Sequence, residues 1–298
     1  MNLRLRSGLS HQAIGRQHSL KYRAFRFGGS FLKYLVVLII FAFLLFPVYW
    51  MIVTSLKVNT ESYRLIPTLI PENVSIEGYI KLIQDGKFLV YYKNNLIVSG
   101  WAAVLICVIS IFAGYALSRF HFKWNALLLA TFTFSQMMPV ISRLISLYTI
   151  LRRLNLTDTH IGLVFAIIAT QVPFAVSLMA SFFDSIPREL EEAASVDGCG
   201  RWRGLFRVVL PLVVPGLLAV GLYSFLQTWD DYLHAITLIR SSNLWTLSQG
   251  LKLTYLGEVS DWQLINSAST LGALPMVFIF FFFQKYMIKG LVAGAVKG

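Results

Sequence analysis

The chain has 298 residues, of which 56% are hydrophobic and only 13% charged, and its mean hydropathy is +0.66. A soluble domain carries roughly 25% charged residues, so this chain lacks the charge to cover a water-facing surface and reads as a polytopic membrane protein. Its formal charge of +12 does not indicate a nucleic-acid partner, because the basic residues are dispersed along the flanks of apolar runs and form no groove.

Taken in chain order, residues 1–31 form a basic segment. Arg4, Arg6, Arg16, Lys21, Arg23 and Arg26 interleave there with Leu3, Leu5, Leu9, Ile14, Leu20, Tyr22, Phe25 and Phe27. Two readings stay open: a helix lying on the membrane interface, or a mobile basic leader. No small-residue cleavage site follows the first apolar run, which disfavours a signal peptide. Spans of the roughly 20 apolar residues that cross a bilayer are expected near 32–56, 95–117, 125–150, 161–183, 206–229 and 266–287. The fold class is therefore all-α, with six transmembrane helices.

The first of these, 32–56, has no charge between Lys33 and Lys57. The loop 57–92 follows, then a core at 93–284 holding the other five spans, then a tail at 285–298. The third span carries Arg143, and Pro173 is expected to break the fourth. Cys107 lies in an apolar run and Cys199 in a charged stretch, so no disulfide is expected.

Orientation follows from Lys and Arg. Residues 1–33 hold seven of them and no acid; Arg119 and Lys123 flank the third span, and Lys285, Lys289 and Lys297 lie in the tail. Basic residues concentrate on cytoplasmic flanks. Both termini and the stretch around 187–199 are therefore expected in the cytoplasm, with attraction to anionic lipid as a secondary role.

That stretch is a charged, helix-forming island between two apolar spans. Ser185-Ile186-Pro187 is a start signal. Glu189, Glu191 and Glu192 suit the positive end of a helix dipole. Leu190, Ala193, Ala194 and Asp197 share one side, and Gly198 closes the helix in a left-handed conformation. Trp202, Leu205 and Phe206 then alternate with Arg201, Arg203 and Arg207. Small alanines in mid-helix permit the close approach of a partner. The alternative is a capped loop helix packed on its own bundle.

Polar residues inside spans are functional candidates, here Gln136, Arg143, Gln171 and Asn266, each with a plain structural alternative. The outer segment near 240–262 carries Trp245, Leu247, Tyr255, Leu256 and Trp262 amid Gly250 and Gly257. It suits a protein interface, a sugar face or a lid. Asp230, Asp231 and His234 cluster as an acid–base set would. However, there is no His-Glu-x-x-His metal motif and no Gly-x-Ser-x-Gly nucleophile turn, so neither an enzyme nor a metal site is expected. A Gly-x4-Gly-Lys-Ser/Thr phosphate loop is also absent, so this chain is not expected to bind ATP or Mg. An ion-coupled secondary transporter or channel is the alternative; it predicts inverted repeats and midplane carboxylates, and neither is evident.

Glu192-Ala193-Ala194, then Gly198, then Val208-x-Leu210-Pro211 resemble the EAA motif of type I ABC-importer permeases, with Val208 where Ile is usual. Thr54-Ser55-Leu56-Lys57 resembles the family's SLK element. Tyr92-Lys93-Asn94-Asn95-Leu96 resembles the start of its core, Asn95 replacing Ser. Trp229–Ile239 is similar to its Trp-Asn-Glu/Asp segment, with Asp230 in place of Asn, and Phe283–Gly298 resembles the tail of the maltose-type carbohydrate permease.

The resemblance covers nearly the whole chain. It implies the six-span member of a permease heterodimer in a bacterial inner membrane, importing a carbohydrate. It further implies that the helix at about 187–199, supported by Leu210 and Pro211, seats on a dimer of ATP-binding subunits that hold ATP and Mg. Gly294, Lys297 and Gly298 would form a second contact to them. Trp245, Leu247, Tyr255 and Trp262 would face a periplasmic solute-binding protein. In this family the other permease holds most substrate contacts, and the cargo ranges over oligosaccharides, uronate-containing sugars and sugar or glycerol phosphates.

Overall fold

The computed structural model describes residues 33–120, 123–255 and 261–295, with side chains through residue 284. A long helix α1, Lys33–Ser55, leads into two short ones, α2 (Asn59–Ser62) and α3 (Glu77–Asp85). Then come α4 (Lys87–Arg119), α5 (Asn125–Met137), α6 (Val140–Arg153) and α7 (His160–Asp184). The island forms α8, Glu189–Val196. Next, α9 (Arg201–Gly204) runs through a π turn at Leu205–Val209 into α10 (Leu210–Trp229). Short helices α11 (Leu233–Leu238) and α12 (Leu247–Gly250) precede α13, Trp262–Ala295. Among the described residues the only strand-like pairing is the isolated bridge Lys57–Val74.

Among the described residues five helices are long and apolar enough to cross a membrane, and α5 with α6 make a sixth crossing if the pair is one span. That pair corrects the straight third span expected at 125–150: it bends by 106° at Met138–Pro139. The residue before a proline is pushed out of the helical region, and Met138 is extended at φ −68°, ψ 136°. The break expected at Pro173 does not occur, since α7 runs through it. Pro173 frees the Ala169 carbonyl; beside it, Gln136 Nε2 of α5 donates to the Thr170 carbonyl at 3.2 Å and ties α5 to this turn of α7. The fifth span starts earlier than expected, at Arg201. Its π turn sits where Pro211 removes the donor for the Arg207 carbonyl, a common place for a widened turn.

At the centre, α4 packs against α7 and α10. Lipid gives helices no hydrophobic drive to associate, so close packing and interhelical hydrogen bonds must do it. Residues 98, 102, 106, 110, 114 and 118 of α4 fall at four-residue spacing and are all buried. Four of them are small: Ala102, Ser110, Gly114 and Ser118. A Cβ on Gly114 would lie 3.0 Å from the Ala180 backbone nitrogen, which shows how near the α4 and α7 backbones come. One core cluster joins Val98 and Ile106 to Ile167 and Met179 of α7 and Val213 and Val220 of α10. A second gathers Leu82, Phe88, Tyr91, Trp229, Leu247 and Tyr255 at the opposite end of α4 from Arg119.

Candidate functional site

The island helix α8 is closed by Gly198 at φ +82°, the left-handed conformation that glycine adopts without strain. The Cys199 amide donates to the Ala194 carbonyl at 2.9 Å and the Gly198 amide to the Ser195 carbonyl at 3.1 Å. These paired bonds form a Schellman cap. Most of α8 is exposed; only Glu191 and Ala194 are half-buried, and the apolar Val196 is 88% exposed.

One side of α8 is tied down. Glu191 accepts from Arg119 Nε at 2.5 Å and from Tyr115 Oη at 2.7 Å. The connector before α8 is held by the same helix end. Arg119 Nη2 donates to the Ile186 carbonyl at 3.1 Å and Arg188 Nη2 to the Ser118 carbonyl at 2.9 Å, while Ser118 Oγ donates to Asp184 at 2.6 Å. Sequence reasoning used Arg119 only as a topology charge and missed this clamp. The available signal was Tyr115, Ser118 and Arg119 at helical i, i+3, i+4 spacing, a one-sided polar stripe ending an apolar helix. Leu210 and Pro211 open α10 behind the π turn, within the short path that links α8 to a span.

A second feature is a polar cavity of about 360 Å³ beside the α5–α6 break. Gln136, Arg143 and Gln171 line it together with Tyr223, Gln227 and Tyr232. Asp230, Asp231 and His234 complete the wall. Three of the four intramembrane candidates therefore converge. Asn266 does not: it borders a separate recess with Trp50, Lys57 and Trp262, and its Nδ2 donates to the Trp262 carbonyl of its own helix at 2.8 Å. Gln171 Nε2 donates to Thr228 Oγ1 at 3.2 Å. Asp231 accepts from the His234 backbone N–H at 2.9 Å and faces His234 Nδ1 at 2.6 Å. That carboxylate binds a first-turn amide of α11 and orients the His234 ring. Among the described residues no group of three or more His, Cys, Asp or Glu is placed to hold a metal.

The segment from Ser242 to Tyr255 is fastened to the Lys87 end of α4. Asn94 Nδ2 donates to the carbonyls of Asn243 and Trp245 at 2.9 and 3.0 Å, and the Tyr91 and Thr254 hydroxyls meet at 3.2 Å. Leu247 and Tyr255, expected at a partner surface, are instead buried in the second core cluster, 3% and 8% exposed. An apolar side chain and a phenol beside Phe88 and Trp229 gain more from that packing than from solvent. Burial and the neighbouring Asp85 push the Tyr255 hydroxyl pKa up. Trp245 is half-buried against Tyr91, ring centroids 5.9 Å apart, whereas Trp262 is exposed.

Two carboxylates, Asp158 in a loop and Glu61 in α2, are held by hydrogen bonds. Asp158 accepts from the Arg240 and Ser241 amides, each at 2.9 Å, and from the Ser241 hydroxyl at 2.5 Å; those bonds hold its carboxyl below the usual range. Glu61 is likewise held low, chiefly by the Thr68 hydroxyl, with Lys57 adding to it. Residues 1–32, Leu256, Gly257, Lys297 and Gly298 lie outside the described residues; Gly294 falls in the last turn of α13.

Residues 106–292 match the family of binding-protein-dependent transport system inner membrane components. The chain belongs to this family. It is a multi-pass permease of the ABC-importer type, which sets aside the ion-coupled alternative. This permease is 33% identical over 273 residues to the sulfoquinovosyl glycerol transport system permease SmoH of Agrobacterium fabrum, covering 91% of this chain and 95% of the relative. It is 31% identical to the trehalose/maltose permease MalG of Thermococcus litoralis, covering 85% and 92%. A bacterial ABC transporter involved in the import of the acidic polysaccharide alginate shares the permease's fold, with TM-score 0.76 at 20% identity, over 86% of this chain and 95% of that one.

Proposed function

We propose that this permease imports a carbohydrate, as the six-span subunit of a transporter completed by a second homologous permease, a dimer of ATP-binding subunits and a periplasmic solute-binding protein. Relatives named for sulfoquinovosyl glycerol, diacetylchitobiose and trehalose/maltose, aligned over 85% or more of this chain, support the cargo class. The basic flanks support a bacterial inner-membrane setting with both termini and α8 in the cytoplasm.

The observation that carries the coupling role is α8 itself. It is exposed along most of its surface yet bound to α4 through Glu191, so a force applied to it reaches a central helix of the core. Glu189, Glu192, Ala193 and Asp197 face outward to meet an ATP-binding subunit, Gly198 sets the helix end, and Leu210 with Pro211 carries the chain into α10. This chain has no phosphate loop, so ATP and Mg belong to that partner. ATP-driven closure then shifts the population between inward- and outward-facing states by contacts that differ in each. Gly294, Lys297 and Gly298 form a second contact there. On the outer face, Trp262 and the rim of the Ser242–Tyr255 segment meet the solute-binding protein, Leu247 and Tyr255 supporting them from below.

Uptake and ATP hydrolysis measured together in proteoliposomes test this reading. Gly198→Asp and Glu192→Lys should leave hydrolysis running while uptake falls at least about tenfold, an interfacial charge clash being worth several kcal/mol. Wild-type transport by both variants, or uptake that persists without the ATP-binding subunits, refutes it.

A further inference from the structure

Three buried polar atoms without a hydrogen-bond partner among the described residues belong to side chains around one cavity: Arg143 Nε, Gln171 Oε1 and His234 Nε2. His234 is 6% exposed. Buried polar groups are normally satisfied, so this wall is short of polar partners, the three atoms themselves being closed off from the cavity; the groups that face the cavity narrow what it takes. The charges narrow its chemistry. Asp231 is taken by His234 at 2.6 Å, and Asp230 is exposed at the rim. Among the described residues no carboxylate lies within 4.0 Å of the Arg143 guanidinium. A half-buried guanidinium at membrane depth is costly without a counter-charge. The first turn of α6 also borders the cavity through Val140 and Arg143, and the positive end of its dipole adds to the same sign. A broken membrane helix whose half-helix N-terminus faces a substrate anion is a recurrent solution to this problem.

We propose that this cavity takes a glycosyl unit bearing a carboxylate or sulfonate, and that Arg143 is the residue that reads the acid. Gln136, Gln171 and Gln227 supply amide groups for hydroxyls, and Tyr223 and Tyr232 supply aromatic faces for a ring. A volume of about 360 Å³ falls within the range of small-molecule sites. The assignment rests on the carbohydrate reading above and narrows it to acidic sugars contacted by this chain itself.

The test is ATP-dependent uptake in proteoliposomes holding the complete transporter and its binding protein. The acidic probes are sulfoquinovosyl glycerol and an alginate oligosaccharide. The neutral probes are trehalose, maltose and diacetylchitobiose, together with the esterified form of whichever acidic probe is carried. An acidic probe should be carried. Arg143→Gln should lower its rate about tenfold or more, the scale of one lost hydrogen bond to a charged group, and lower the ester's rate far less. Arg143→Lys should keep part of the acid preference. A folding defect would lower both forms alike, so the acid-to-ester ratio is decisive. Uptake confined to neutral sugars, or an unchanged ratio in Arg143→Gln, overturns the assignment and leaves the carbohydrate reading standing. Uptake of none of these sugars overturns both.

Discussion

Arg119→Ala should release α8 from the bundle without unfolding the bundle. The Arg119 side chain is 8% exposed and that of its partner Glu191 is 19% exposed, with Nε and Oε1 at 2.5 Å. Removing one member of a buried ion pair costs about 3–5 kcal/mol. Glu191 is partly wet and keeps its bond from Tyr115, which lowers the cost to about 2–3 kcal/mol. At 1.4 kcal/mol per tenfold change, that is roughly 30–150-fold in the opening equilibrium of α8. Hydrogen exchange of peptides covering residues 186–199 reads this directly, in the complete transporter and again after the ATP-binding subunits are stripped away. Amides of α8 should exchange faster by that factor in the stripped form, while the interior of α7 stays unchanged. The coupling between Arg119→Ala and Glu191→Ala should exceed about 1 kcal/mol. Exchange of α8 within threefold of wild type, equal loosening of α7, or additivity within about 0.5 kcal/mol would refute the clamp.

Three further outcomes follow from single contacts. Asp158→Asn removes a carboxylate whose pKa is held below the usual value of about 3.9. Such a group stabilises above its unfolded pKa, and the gain is lost as pH falls through the lower folded value. The wild type should therefore melt higher than the variant at pH 6–7, and the gap should close below about pH 4 in a fluorimetric melt. Gly250→Ala would set a Cβ 2.2 Å from the Tyr91 ring, an overpacking cost of about 1–3 kcal/mol; the loss in melting temperature should be relieved by adding Tyr91→Ala. Gly162→Ala meets backbone instead, 1.9 Å from the Leu156 carbonyl oxygen, so its yield of folded protein in membranes should fall further than that of Gly250→Ala, with no side-chain suppressor at Leu156.

The apolar runs made the five long helices legible, because a helix that must satisfy its own backbone in lipid leaves few alternatives. The third and fourth spans were read with their prolines reversed. Pro173 sits inside a helix packed against α4 that continues through it; Met138 and Pro139 lie between α5 and α6, which have few buried residues to resist a bend. Polarity within apolar runs found Gln136, Arg143 and Gln171. It missed Tyr223 and Gln227, since a tyrosine or glutamine near the end of a span is unremarked until a bend folds another helix over it. The cap of α8 was visible because it is local. Its clamp was not, since Arg119 and Glu191 are 72 residues apart and nothing in either stretch names the other.

The unbroken length of α4 has a mechanical consequence. Its 33 residues and lack of proline make a rod of about 50 Å, well beyond the roughly 30 Å of a hydrocarbon core. Ser118 grips the α8 connector about 22 Å from the rod's midpoint, and Asn94 grips the Ser242–Tyr255 segment about 13 Å from it on the other side. A 5° tilt about the midpoint moves the first grip by about 2 Å and the second by about 1 Å in the opposite direction. For a rigid tilt about that midpoint the helix is a lever of unequal arms: a stroke delivered at one end would arrive at the other reduced by nearly half and reversed in sense.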